Sequence, residues 1–154
     1  MFTMDDLLEV AVKMEKNGEA VYRNALKKIR QKALTDLLSW MAAEEAAHGR
    51  WFLEQKKRLA LQPEEKALKE MIPQVLQDMM GEKTLSLDEV EFDKISTPLE
   101  LLNTFIEFEK DTIKFYELLE MFIESEEVLK GLKTIIQEEK THVEKLTAMA
   151  GSLG

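Results

Sequence analysis

Compared with itself at an offset of 94 residues, the chain repeats: Glu15 falls on Glu109, Tyr22 on Tyr116, Glu44 and Glu45 on Glu138 and Glu139, and His48 on His142. The apolar frame follows, with Leu8 on Leu102, Ile29 on Ile123 and Leu38 on Leu132. The chain holds only 2 His and 2 Tyr, and both pairs keep the same register as the glutamates, so chance alignment is a poor explanation. The repeat implies two copies of one structural unit, about 3–61 and 97–151, joined by a connector over about 62–96 within a single domain of 154 residues.

Each half reads as a pair of helices. Leu8, Ala11, Glu15, Gly18, Tyr22, Ala25 and Ile29 recur every three or four residues, which places them on one helix face. Further stripes run Leu34, Leu38, Met41, Glu45, His48, Phe52, Leu59; then Leu102, Phe105, Glu109, Ile113, Tyr116, Ile123; then Val128, Leu132, Ile135, Glu139, His142, Leu146, Met149. Thr3 with Asp6 supplies an N-cap and first-turn acid for the first helix. Thr97, Pro98 and Glu100 supply a cap, a first-turn proline and a reciprocal acid for the third, and Gly151 marks the end of the fourth. The fold class expected is all-α: a four-helix bundle with a long crossover between helices 2 and 3 and an internal pseudo-two-fold repeat. A 35-residue connector can return along helices of about 27 residues, roughly 40 Å long.

Composition narrows the function classes. With no cysteine, disulfide scaffolds, thiol catalysis and iron–sulfur clusters are excluded. A formal net charge of −9 and no basic run longer than Lys56-Lys57-Arg58 disfavour nucleic acid and anionic membrane surfaces as partners. No apolar run approaches the roughly 18 residues of a membrane span, and no basic region followed by an apolar stretch opens the chain. A soluble cytoplasmic domain is the expectation.

Glu15, Glu45, His48, Glu109, Glu139 and His142 all lie on apolar stripes. In a bundle they face the core, where an unpaired ionised carboxylate costs several kcal/mol. Four carboxylates carry −4 and two neutral imidazoles carry nothing, so two divalent ions balance the charge. Glu45 with His48, and Glu139 with His142, stand at i and i+3 on one face and can share an ion. Glu15 and Glu109 then give one carboxylate from each remaining helix. A Glu on two helices with Glu-x-x-His on the other two is the known ligand pattern of di-iron and di-manganese carboxylate bundles. For Glu15 and Glu45 to reach one ion the chain must fold back near residue 30. For Glu109 and Glu139 the midpoint is residue 124, and an unbroken helix would hold Glu15 and Glu45 about 45 Å apart.

On Glu15 with Tyr22, Glu44-Glu45-Ala46-Ala47-His48, Glu109 with Tyr116, and Glu138-Glu139-Lys140-Thr141-His142, the chain resembles the ferritin-like, rubrerythrin-family di-iron proteins over its four helices. The resemblance implies a single ferritin-like domain. It also implies that Glu15, Glu45, His48, Glu109, Glu139 and His142 carry two iron ions, with manganese the second choice and zinc a third. Where that family adds a glutamate one turn after the third-helix ligand, this chain has Thr112, which leaves ligand-switching peroxidase chemistry without its residue. The Cys-rich rubredoxin domain is absent, so electrons are expected from an external donor protein.

Other positions have plainer readings. Tyr22 and Tyr116 are expected to hydrogen-bond ligand carboxylates. Glu44 and Glu138 precede ligands by one position, about 100° round the helix, and read as a solvated edge or helix contact. Glu19 with Arg23 reads as a surface pair. Trp40, Trp51 and the nine methionines read as core or subunit contacts. Gly18 and Thr112 either leave room for an exogenous ligand or allow close helix packing. The activity expected is a di-iron oxidoreductase reducing hydrogen peroxide or dioxygen. The alternatives are a ferroxidase or iron-handling protein of ferritin type, and a non-catalytic helical interaction domain. A homodimer is expected by analogy of fold.

Overall fold

The structure, a computed structural model, describes residues 3–60 and 97–153. Among the described residues there are four α-helices: α1 (Met4–Leu26), α2 (Lys32–Ala60), α3 (Pro98–Leu119) and α4 (Glu126–Leu153). A 3-10 turn, Glu120–Phe122, leads out of α3. The crossover expected over 62–96 lies outside the described residues.

The helix ends follow local chemistry. Thr3 and Asp6 form a full capping box: the Thr3 hydroxyl accepts from the Asp6 amide at 3.2 Å and the Thr3 amide donates to Asp6 Oδ2 at 2.8 Å. Thr97 caps α3 by accepting from the Glu100 amide at 3.1 Å, with Pro98 in the first turn, where its missing N–H costs nothing. Between α1 and α2 neither Gly nor Pro is needed. The chain stays right-handed at Lys27 (φ −71°), and the amides of Lys27 and Lys28 bond back to Asn24 and Ala25. Ile29, expected at the end of the first stripe, lies in this turn and is part-buried. α4 runs two residues beyond the stop expected at Gly151, whose backbone takes no left-handed turn and whose surroundings are open.

Side-chain pairs fix the directions. Lys56 pairs with Glu9 and Gly49 lies against Glu15, so α1 and α2 are antiparallel. Tyr22 reaches Glu109 and Tyr116 reaches Glu15, so α1 and α3 are antiparallel. His48 meets Glu139 while His142 meets Glu45, so α2 and α4 are too. α2 and α3 therefore run the same way, and the ends that residues 61–96 join lie at opposite ends of the bundle.

The apolar core is split. One cluster is built on Leu7, Leu8, Phe52, Phe115, Leu119 and Leu132; the other on Leu34, Leu38, Met41, Leu102, Phe105 and Leu146. In each helix the buried polar residues fall between the two. Glu15, Glu45, His48, Glu109, Thr112, Glu139 and His142 form one polar layer across the bundle, and they are the buried polar residues among those described. Burying each large apolar side chain contributes about 1.5–3 kcal/mol, and the two clusters together hold the polar layer dry.

Candidate metal centre

Each helix delivers its polar side chains to the layer because Glu15, Glu45, Glu109 and Glu139 occupy positions of the apolar stripe. His48 and His142 lie one turn beyond Glu45 and Glu139 on the same faces. Two fully buried groups of donor atoms form, in each of which all atoms lie within 4.8 Å of one another: Glu15, Glu45, His48 and Glu139; and Glu45, Glu109, Glu139 and His142; a third, part-buried group at the edge joins Glu44, His48 and Glu138. Glu45 and Glu139 belong to both buried groups. Glu15 with His48, and Glu109 with His142, flank the shared pair on either side, and the two imidazole rings lie 6.2 Å apart and nearly parallel. All six residues that the repeat singled out are thus brought to one place.

Both imidazoles are oriented alike. The Nδ1 atom of His48 is 2.8 Å from Glu139 Oε1 and 3.5 Å from Glu15 Oε1. That of His142 is 3.2 Å from Glu45 Oε1, 3.4 Å from Glu139 Oε2 and 3.6 Å from Glu109 Oε1. The Nε2 atoms turn outward to the bundle edge, to Glu138 Oε2 at 3.1 Å from His48 and to Glu44 Oε1 at 2.9 Å from His142. The tyrosines are buried, and each crosses to the other half: Tyr22 donates to Glu109 Oε1 at 2.5 Å and Tyr116 to Glu15 Oε1 at 2.6 Å.

The layer's electrostatics show what it lacks. Burial, and then the charges of Glu109, Glu139 and Glu15, push the Glu45 carboxyl well above the usual carboxylate range. Burial and the charge of Glu139 raise Glu109 to about 8 against the help of His142. Burial alone would lower both histidines. Hydrogen bonds and charges of Glu139 and Glu15 raise His48 to about 12 instead, and those of Glu109 and Glu139 raise His142 to about 11. Burial also raises Glu139, yet bonds to Glu109, His142 and His48 hold it low. Burial and the facing carboxylates, Glu109 for Tyr22 and Glu15 for Tyr116, keep both phenols protonated. Burial and mutual repulsion thus favour the protonated forms of Glu45, Glu109, His48 and His142 in the metal-free layer.

Even so, Glu15 Oε2, Glu45 Oε1, Glu109 Oε2, Glu139 Oε2 and His142 Nδ1 are buried without a well-aligned hydrogen bond, the approach of His142 Nδ1 to Glu45 and Glu139 being an ion-pair contact outside that geometry. Each such atom costs about 1–3 kcal/mol, and all five converge on the same two donor groups. Carboxylate oxygens with imidazole nitrogens form a donor set for iron, manganese or zinc, so the residues fit a pair of such ions.

Several positions differ from expectation or sharpen it. Of the two readings of Glu44 and Glu138, a solvated edge or a helix contact, the second holds: each is half-buried and bonded to an imidazole of the opposite helix. The signal was available, since both recur at the 94-residue offset, but the 100° step from the ligand face hid how short the reach across the α2–α4 seam is. A Cβ on Gly18 would lie 3.2 Å from Glu45 Oε2 and 3.3 Å from Phe108, so Gly18 serves close packing rather than an open ligand position. Thr112 is buried with its hydroxyl on the Phe108 carbonyl at 2.9 Å. Trp40, expected in a core or subunit contact, is exposed to 39%, with its indole edge-to-face on His142 at 5.2 Å and Lys145 over its ring. Glu19 and Arg23 form the expected exposed pair at 2.8 Å.

Four packed helices around a layer of paired carboxylates and histidines define a ferritin-like bundle with a candidate two-metal centre. The sequence profile of the rubrerythrin family matches residues 6–150, and the chain belongs to that family. A solved structure from Thermotoga maritima, named as a ferritin-like diiron-carboxylate protein, is similar to it with a TM-score of 0.75. The two are 24% identical over 99% of this chain and 97% of the other, a likeness of fold. Among functionally curated proteins there is no match. No helix of the described residues is long and apolar enough to cross a membrane.

Proposed function

We propose that the chain is a di-iron oxidoreductase that reduces hydrogen peroxide or dioxygen with electrons from a separate donor protein. Glu15, Glu45, His48, Glu109, Glu139 and His142 are the metal ligands. The observation that carries the reading is the convergence of five buried donor atoms that lack a well-aligned hydrogen bond on two groups that share Glu45 and Glu139. Iron is preferred for this set, with manganese second.

When bound, a pair of redox-active ions would supply two electrons to the O–O bond of the oxidant. The chain's own residues do the rest. Glu45 and Glu139, which belong to both buried donor groups, would help hold both ions. Tyr22 and Tyr116 each occupy one oxygen of Glu109 and Glu15, leaving the other oxygen, orphaned in both cases, to face the metal position. The apolar clusters on either side exclude water, which keeps the carboxylates' field strong.

The test is anaerobic loading with Fe(II) followed by mixing with peroxide, read by absorbance. The wild-type chain is expected to oxidise rapidly, and Glu45→Ala and His142→Ala to lose the reaction. A variant reacting at the wild-type rate would overturn the ligand assignment.

A further inference from the structure

Among the described residues two large apolar side chains stand exposed, Met121 at 69% and Trp40 at 39%. Single exposed apolar residues are ordinary and need no explanation by themselves. Met121 lies in the turn that leads out of α3. Trp40 differs in what its inner edge touches. Its indole meets the His142 imidazole edge-to-face, with ring centroids 5.2 Å apart and planes at 79°, inside the range of direct aromatic contact, about 4.5–7 Å. His142 itself is fully buried, so one side chain spans from solvent to a proposed ligand.

The proposed reaction makes a demand that this contact meets. Each hydrogen peroxide reduced takes two electrons and two protons and leaves two waters, while both ions pass from the ferrous to the ferric state. Two one-electron transfers from the donor protein must then restore them. All six proposed ligands are buried, so the donor's redox group does not reach them directly, and electron transfer slows steeply with every added ångström of gap. Tyr22 and Tyr116 also touch ligand carboxylates, but both are fully buried. Glu44 and Glu138 reach the imidazoles from the seam, but their negative charge opposes an arriving electron. Trp40 offers π orbitals from the surface to the imidazole and an apolar edge on which a docked protein excludes water. It also carries a cation, since Lys145 Nζ lies over the ring at 5.2 Å from the centroid.

The contact is one-sided. At the 94-residue offset Trp40 corresponds to Thr134, which is exposed and bonds its hydroxyl back to the Lys130 carbonyl of its own helix. The equivalent position in the other half therefore places no ring on His48.

We propose that Trp40 is the point of electron entry. The donor, a one-electron carrier protein, docks over the exposed indole, and each electron tunnels through the indole and the His142 imidazole to the metal position that His142 shares with Glu109. The proposal rests on the di-iron reading above. In each transfer the donor is oxidised by one electron and one ferric ion is reduced to ferrous; no bond to the protein forms or breaks, and the indole bridges the transfer without being oxidised. Trp40 thus acts through His142 and not on the oxidant.

The experiment uses the full chain, loaded with iron, oxidised, and mixed anaerobically with methyl viologen radical cation, a planar one-electron reductant whose colour is lost on oxidation. Wild type is expected to bleach two equivalents per chain in a fast phase. Trp40→Leu, checked by circular dichroism and iron content, is expected to lose most of that phase. Trp40→Phe, which keeps a ring beside the imidazole, is expected to recover much of it. The loss is expected to be confined to reduction, with oxidation of each ferrous-loaded variant by peroxide measured alongside. A second readout needs no metal. In Trp51→Phe the only indole is Trp40, and its fluorescence is expected to be quenched by oxidised methyl viologen, which accepts an electron from the excited ring. In Trp40→Phe the remaining indole is Trp51, part-buried and packed on Gly131, and weaker quenching is expected.

A wild-type rate of bleaching in Trp40→Leu, a Trp40→Phe no faster than Trp40→Leu, or unquenched Trp40 emission would overturn the proposal. Equal slowing of reduction and of peroxide oxidation would overturn it too, and mark Trp40 as a packing residue. If wild type holds two irons and bleaches the viologen while Trp40→Leu does the same, the di-iron reading stands and the entry point falls. If wild type holds no iron, both fall.

Discussion

The two halves of the bundle agree in the middle and part company at the edges. In the polar layer Glu15, Tyr22, Glu45 and His48 have their counterparts at Glu109, Tyr116, Glu139 and His142, in matching geometry. One turn away, buried Gly18 stands where the other half has buried Thr112. Trp40 stands where the other half has Thr134, and Trp51 where it has Lys145. These differences interlock across the α2–α4 seam. Trp51 fits against Gly131, where a Cβ would lie 2.6 Å from the indole, while Lys145 lies over the ring of Trp40. A two-fold arrangement is therefore needed only where two equivalent positions must be built from one chain, and the packing around it is free to be asymmetric.

The comparison can be broken most severely at the centre. Phe105→Ala empties a fully buried site in one apolar cluster. It is expected to lower stability by about 3–5 kcal/mol with or without metal, read by chemical denaturation. Glu45→Ala removes a carboxylate common to both positions and Glu15→Ala one that serves a single position. The first is expected to abolish the rise in melting temperature on metal addition, and the second to reduce it. For wild type at about 100-fold excess over Kd that rise corresponds to about 2.7 kcal/mol.

A subtler break is in protons. Glu45, Glu109, His48 and His142 are all raised, Glu109 to about 8 and the histidines to about 12 and 11. Metal binding must displace protons from these groups, so loading at neutral pH is expected to release protons. The sign follows: protons compete with metal, and apparent affinity rises as pH increases from 6 to 8. Calorimetry in buffers of differing ionisation enthalpy checks the release.

The smallest expected effect sharpens the asymmetry. Gly18→Ala must push Glu45 by a few tenths of an ångström, given contacts of 3.2 and 3.3 Å. It is expected to weaken metal binding several-fold while leaving helix stability nearly unchanged. Thr112→Ala removes a hydroxyl that bonds only a backbone carbonyl in its own helix, and is expected to leave metal affinity at the wild-type value by the same titration.

Most of this arrangement was legible in the sequence, because a carboxylate on an apolar stripe is conspicuous and the repeat supplied it four times. The helix stripes gave the interior face, and the requirement that Glu15 and Glu45 meet gave the turn at Lys27–Gln31 that no Gly or Pro announces. The roles of Glu44 and Glu138 were hidden, because helical angle places a side chain relative to its own axis and not to a neighbour's imidazole across a seam. Trp40 was hidden for the same reason. Gly151 misled because a glycine at an open helix end is tolerated within the helix as readily as it ends one.

The central claim is a paired metal centre, and metal content per chain tests it most directly. Protein from iron-supplemented culture, purified without chelator or histidine tag, is measured by mass spectrometry of the metals. Two ions per chain, iron in the preferred case, is the result expected. No metal, even after anaerobic Fe(II) is offered, would contradict the account.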